Sequence, residues 1–79
     1  MKAYTYYIDP GHGWLEVDRS ETIGLDISGY SYQSGDKVYL EEDCDMTLFL
    51  KSKNITRGQL IQEYSDNDSF IRGLDSYRA

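Results

Sequence analysis

The run Val38-Tyr39-Leu40-Glu41-Glu42-Asp43-Cys44-Asp45 constrains this chain more than any other stretch. Its first three residues are β-branched, aromatic and aliphatic, and suit a half-buried strand. Four carboxylates then fall in five positions, directly before Met46, Phe49 and Leu50. The i, i+3, i+4 spacing of those three gives a helix one apolar face. A strand must therefore end, and a helix begin, inside this run. Asp43 is the expected N-cap, and Asp45 lies in the first turn, where negative charge meets the positive end of the helix dipole. Lys51 and Lys53 suit the opposite end, and Asn54 suits a left-handed terminator. The pattern predicts a helix over 44–53.

Upstream, Tyr30-Ser31-Tyr32-Gln33 and Lys37-Val38-Tyr39-Leu40-Glu41 flank Ser34-Gly35-Asp36, which reads as a β-hairpin. Val38 and Leu40 should face the core, with Tyr39 on the other face beside Lys37 and Glu41. An earlier hairpin joins Tyr4-Thr5-Tyr6-Tyr7-Ile8 to Trp14-Leu15-Glu16-Val17. Proline and two glycines in Asp9-Pro10-Gly11-His12-Gly13 supply the reversal between them. The start, Met1 to Tyr4, already reads as strand.

Between the hairpins, Asp18 and Glu21 have the spacing of a capping box. They predict a short helix over 19–24 that buries Ile23 and Leu25 and ends at Gly24. Residues 56–64 are ambiguous: Thr56 and Gln59 resemble a capping box, Gly58 disfavours a helix, and Leu60-Ile61 suits a short edge strand. Strand-like or irregular structure is the preferred reading. Phe70 and Ile71 should return to the core, with fraying residues after them. The expected fold is α+β in a single domain over 1–79. Two β-hairpins would form one antiparallel sheet of about four strands, with both helices packed on one face.

Seventy-nine residues with eight tyrosines are enough for one modest core. No apolar run could span a bilayer, and a lone cysteine forms no internal disulfide, so a cytoplasmic setting is expected. A formal charge of −6 disfavours nucleic acid and anionic membrane, since phosphates require Lys and Arg to replace their counterions. It favours a basic protein partner or simple solubility.

His12 and Cys44 are the only residues that could pair as base and nucleophile. Carboxylates on both sides of Cys44 oppose thiolate formation, so the pair is not expected to be catalytic. One His and one Cys fall short of the roughly four nitrogen or sulfur ligands of a structural zinc site. Calcium loops starting at Asp43 or Asp66 lack the required glycine and glutamate. No cofactor and no metal are therefore expected. The tyrosines should mostly pack on the sheet, although eight exceed what so small a core needs.

The segments Gly11-His12-Gly13-Trp14-Leu15-Glu16-Val17, Tyr30-Ser31-Tyr32, Val38 to Asp45 and Asp68-Ser69-Phe70-Ile71-Arg72 are spread over most of the chain, between Tyr7 and Tyr77. Together they resemble small uncharacterised acidic proteins of bacteria and their phages or other mobile elements. Gly24 departs from the pattern, where a better helix former would be expected. The resemblance implies an accessory protein of a mobile element, and hence an inhibitor or modulator of a host system. The expected function is thus a non-enzymatic interaction protein, in its concrete form an anti-defence inhibitor of a basic, nucleic-acid-binding host protein. Glu41, Glu42, Asp43, Asp45 and Asp36 would carry the charge, and Tyr39, Tyr30 and Trp14 the apolar anchors. The alternatives are a small enzyme or metal-dependent factor using His12 and Cys44, and a component of a larger assembly.

Overall fold

Both predicted reversals form, and each is fixed by a specific backbone device. In the computed structural model, which describes residues 3–78, the first runs from β1 (Thr5–Ile8) to β2 (Gly13–Asp18). It is closed by the Asp9 amide donating to the His12 carbonyl at 2.9 Å. The second joins β3 (Tyr32–Ser34) to β4 (Lys37–Glu41) through a two-residue loop, in which Gly35 takes φ 58°. That left-handed conformation is one glycine adopts without steric cost.

The hairpins do not stand side by side as separate units. β2 pairs directly with β4, placing Trp14 opposite Glu41 and Leu15 opposite Leu40. Two further strands extend the sheet beyond the four expected: β5 (Ile61–Tyr64) and β6 (Asp75–Ser76). The strand order is β5-β1-β2-β4-β3-β6. β5 runs parallel to β1, so the sheet is mixed rather than purely antiparallel. The tail expected to fray instead pairs with β3, and the Tyr77 amide donates to the Ser31 carbonyl at 2.8 Å. At the other end, β1 starts at Thr5; of the opening residues read as strand, Met1 and Lys2 lie outside the described residues.

The helix after β4 is α1 (Asp45–Lys53), the one α-helix among the described residues. Its N-cap is Cys44 rather than Asp43, whose amide turns back to Glu41 Oε1 at 2.9 Å. Asn54 closes it in the left-handed conformation, as its residue type predicts. The helix expected over 19–24 is a single 3-10 turn, Arg19–Thr22. The Asp18 amide does bond Glu21 at 3.2 Å, but Gly24 at φ 87° ends the turn early and leaves Ile23 82% exposed. Leu25 and Ile27 still pack against the core. Two more 3-10 turns, Arg57–Gln59 and Phe70–Gly73, precede β5 and β6.

Side chains alternate across the pleat, and both faces are covered. On one face Tyr4, Tyr6, Leu15, Val17, Val38 and Leu40 meet Met46, Phe49 and Leu50 of α1. On the other, Trp14 and Tyr39 pack with Ile71, flanked by Tyr7, Tyr32 and Leu74. The sheet therefore has two small cores, and the Phe70–Gly73 turn is the lid of the second. Ile71 is fully buried there, a contribution of about 2 kcal/mol from apolar burial. Phe70, expected inside with it, remains exposed.

Candidate functional site

The loop between β1 and β2 is held from below by Asp9. Its Oδ1 accepts the Gly11 and His12 amides at 3.0 and 2.9 Å, and its Oδ2 accepts the Ser69 amide at 3.0 Å. Arg72 completes the set with two bonds to the same carboxylate. The guanidinium holds the Asp9 carboxyl well below the usual carboxylate range; burial opposes this, and the three amides reinforce it. Arg72 also lies over the Trp14 ring, 5.1 Å from its centroid.

With its backbone fixed, His12 leans against Trp14 at 5.3 Å between ring centroids. Its Nε2 is 2.8 Å from Glu41 Oε1, at the end of β4, and its Nδ1 is 3.6 Å from Glu42 Oε1. Glu42 is itself anchored, because its Oε2 accepts the Tyr6 hydroxyl at 2.7 Å. Burial, aided by that carboxylate, pushes the Tyr6 hydroxyl up to about 12. Tyr6 passes directly over Gly13, where a Cβ would sit 2.5 Å from its oxygen. His12, Trp14, Tyr30, Tyr32, Glu41 and Arg72 line a cleft of about 250 Å³. The Trp14 indole nitrogen is buried without a hydrogen-bond partner among the described residues.

The residues expected to meet a partner are thereby divided. Glu41, Asp45, Tyr39 and Trp14 are buried, at 8, 1, 6 and 2% exposure, and cannot form a contact surface as they stand. For Tyr39 and Trp14 the cause is the second core, which covers the sheet face away from α1. Asp45 is not free to meet a partner or merely to balance a dipole. It accepts the Ser28 amide and hydroxyl and the Ser31 hydroxyl, the two hydroxyl bonds being 2.6 Å each. Glu42 is half-buried, and Asp43, Asp36 and Tyr30 are exposed. Asp36 precedes β4 while Glu42 follows it, so the whole length of the strand separates them. Cys44 is exposed and makes no hydrogen bond to His12, which is engaged with Glu41.

A second region has a sequence that reads as strand-like but carries no site motif. β5 is the outer strand of the sheet, and all four of its residues are exposed. Ile61, Tyr64 and Phe70 are 50, 72 and 56% exposed. Phe70 meets Tyr7 and Tyr39 edge-on, at 5.3 and 5.7 Å between centroids, which fixes an outward-facing ring. A cleft of about 220 Å³ lies between Tyr7, Tyr64 and Phe70, with Glu63 on its rim. Glu63, Asp66 and Asp68 are exposed along this edge. The available signal was Ile61, Tyr64 and Phe70 standing in a polar segment with no regular apolar pattern to bury them.

No family model, curated protein or solved structure matches the chain. No helix of the described residues is long and apolar enough to cross a membrane.

Proposed function

We propose that the chain is a non-enzymatic interaction protein that engages a basic protein partner through the β5 edge. The single observation that carries this reading is the exposed outer strand flanked by Tyr64, Phe70 and the carboxylates Glu63, Asp66 and Asp68. Ile61 and Ser65 donate their amides to β1, so strand alternation turns the Gln62 and Tyr64 amides outward. An extended segment of a partner can add to such an edge, with main-chain bonds giving affinity and side chains giving selectivity. Exposed aromatics supply the anchors that dominate protein interfaces.

Charge selects the occupant. Two-fold pairing of β5 with a second copy, in the register centred on Glu63, would bring Glu63 and its symmetry mate together, and like charges facing each other are unfavourable. A basic strand meets the edge without that cost. In the mobile-element setting that the sequence suggests, the partner is a host nucleic-acid-binding protein whose phosphate-binding surface meets these carboxylates.

The test uses the immobilised chain, bacterial lysate and two variants, Tyr64→Ala/Phe70→Ala and Glu63→Lys/Asp66→Lys. A basic protein should be retained, released by rising salt and lost with either variant. Capture indifferent to salt or to both variants overturns the proposal. So does a dimer, seen by light scattering, that Tyr64→Ala dissolves.

A further inference from the structure

The cluster at the opposite side of β1 from this edge has a different chemistry. One ligand atom each from His12, Glu41 and Asp43 lies within 4.8 Å of the others. We propose that these three residues form a site for a divalent first-row transition cation, with Glu42 orienting the His12 ring.

Four observations carry the proposal. First, ligand atoms around a tetrahedral zinc stand about 3.4 Å apart for bonds of about 2.0–2.1 Å. His12 Nε2 and Glu41 Oε1 are already 2.8 Å apart, and Asp43, being exposed, has the freedom to close the third side. Second, Glu42 stands 3.6 Å from the other ring nitrogen, and Tyr6 holds it there. A small rotation of the His12 ring brings the two into hydrogen-bond range, and a carboxylate behind a ligating imidazole fixes the ring and raises its basicity in metal sites. Third, the His12 backbone is locked by Asp9 before any ligand arrives, so the first ligand is preorganised. Fourth, the Trp14 N–H is buried without an acceptor and belongs to the same cleft as His12 and Glu41.

The charge balance agrees. Glu41, Glu42 and Asp43 surround one imidazole, while the Arg72 charge is matched by Asp9. A divalent cation offsets the repulsion among those three carboxylates. Imidazole disfavours calcium and magnesium, and the absence of a thiolate from the set disfavours soft metals such as Cu(I), leaving borderline first-row ions, of which zinc and cobalt are the practical probes. Cys44, despite its position between Asp43 and Asp45, is not a member.

Calorimetric titration of the intact chain with ZnCl2, and visible absorption with CoCl2, test the site. One equivalent should bind. His12→Gln and Asp43→Asn should each weaken binding at least tenfold, and Glu42→Gln by about 10–100-fold. Cys44→Ser should leave the affinity unchanged. Because Asp43 is exposed, its variant keeps the wild-type fold and decides the matter if His12→Gln does not. Absence of binding overturns the proposal, as does affinity unaltered by Asp43→Asn or abolished by Cys44→Ser.

Discussion

Asp9 and Arg72, 63 positions apart, meet in a two-pronged ion pair, Nε to Oδ2 at 2.6 Å and Nη2 to Oδ1 at 2.9 Å. The carboxylate is fully buried and the guanidinium is 38% exposed. Through this pair the turn after β1 fastens the 3-10 turn that lids the second core. Losing either partner should therefore loosen Ile71 and uncover Trp14 and Tyr39, rather than act only at the loop.

The acid side of the stability curve should report this pair. Arg72 depresses the folded-state value of Asp9, so the unfolded chain takes up its proton first, near pH 3.9. The stabilisation is present above that value and is lost as pH falls through the folded-state value. Asp9→Asn should cost about 3 kcal/mol at neutral pH, because a buried partner of a charge is removed. It should also remove this part of the acid dependence. Urea unfolding of both proteins at neutral pH and at successively lower pH checks the prediction; equal slopes in acid would refute it.

Gly13→Ala should be one of the most damaging single-methyl additions in the chain. The new Cβ would meet Tyr6 at 2.5 Å from its oxygen and 2.7 Å from its ring, and Tyr6 is itself pinned by Glu42 and the core. A loss of about 2–3 kcal/mol is expected, at the upper end of overpacking costs. In a Tyr6→Leu background the same change should cost much less, and the coupling energy of the double-mutant cycle measures the clash.

Much of the first sheet face was legible from residue pattern alone. Val38 and Leu40 lie on the α1 face and Tyr39 on the opposite one, both reversals form, and α1 presents Met46, Phe49 and Leu50 together. These features are local or follow from period. What was not legible depends on contacts between distant segments. The strand-like reading of residues 56–64 holds at β5, but β5 carries no burial alternation that would announce its parallel pairing with β1. The second core rests on Ile71 and Arg72, whose partners Trp14 and Asp9 are more than fifty residues away. Without that lid, Trp14 and Tyr39 read as exposed anchors. The acidic run misled for the same reason: Asp45 reads as a dipole residue until Ser28 and Ser31 are seen beside it.

Alkaline pH should expose the buried phenols. Burial first, and then Glu42, raise the Tyr6 hydroxyl to about 12; burial and Glu16 raise Tyr39 as well. An unfolded tyrosine ionises near pH 10, so above that the unfolded state gives up its proton first. The stabilisation is complete below pH 10 and lost as pH rises through about 12. Ultraviolet titration should show Tyr6 and Tyr39 ionising only as the chain unfolds. Tyr6→Phe should lessen the alkaline decline while losing about 1 kcal/mol at neutral pH from the missing hydrogen bond.

Asp43 and Asp45 stand two positions apart in the acidic run and should respond oppositely to removal. Asp45 is buried and receives the Ser28 amide and both serine hydroxyls, and Ser31 Oγ in turn accepts the Glu41 amide at 2.9 Å. Asp45→Ala strands those donors and detaches the segment before β3 from α1, for a loss of about 3 kcal/mol. Ser31→Ala removes one link of the same network and should cost about 1–2 kcal/mol. The two losses should not add, because they break a shared set of bonds. Asp43→Ala, at an exposed position, should change stability by less than about 0.5 kcal/mol. Denaturant unfolding of the wild type, the three single variants and the Asp45→Ala/Ser31→Ala double variant separates these outcomes. Equal costs at Asp43 and Asp45 would mean that charge at the start of α1, rather than the serine network, is what the run supplies.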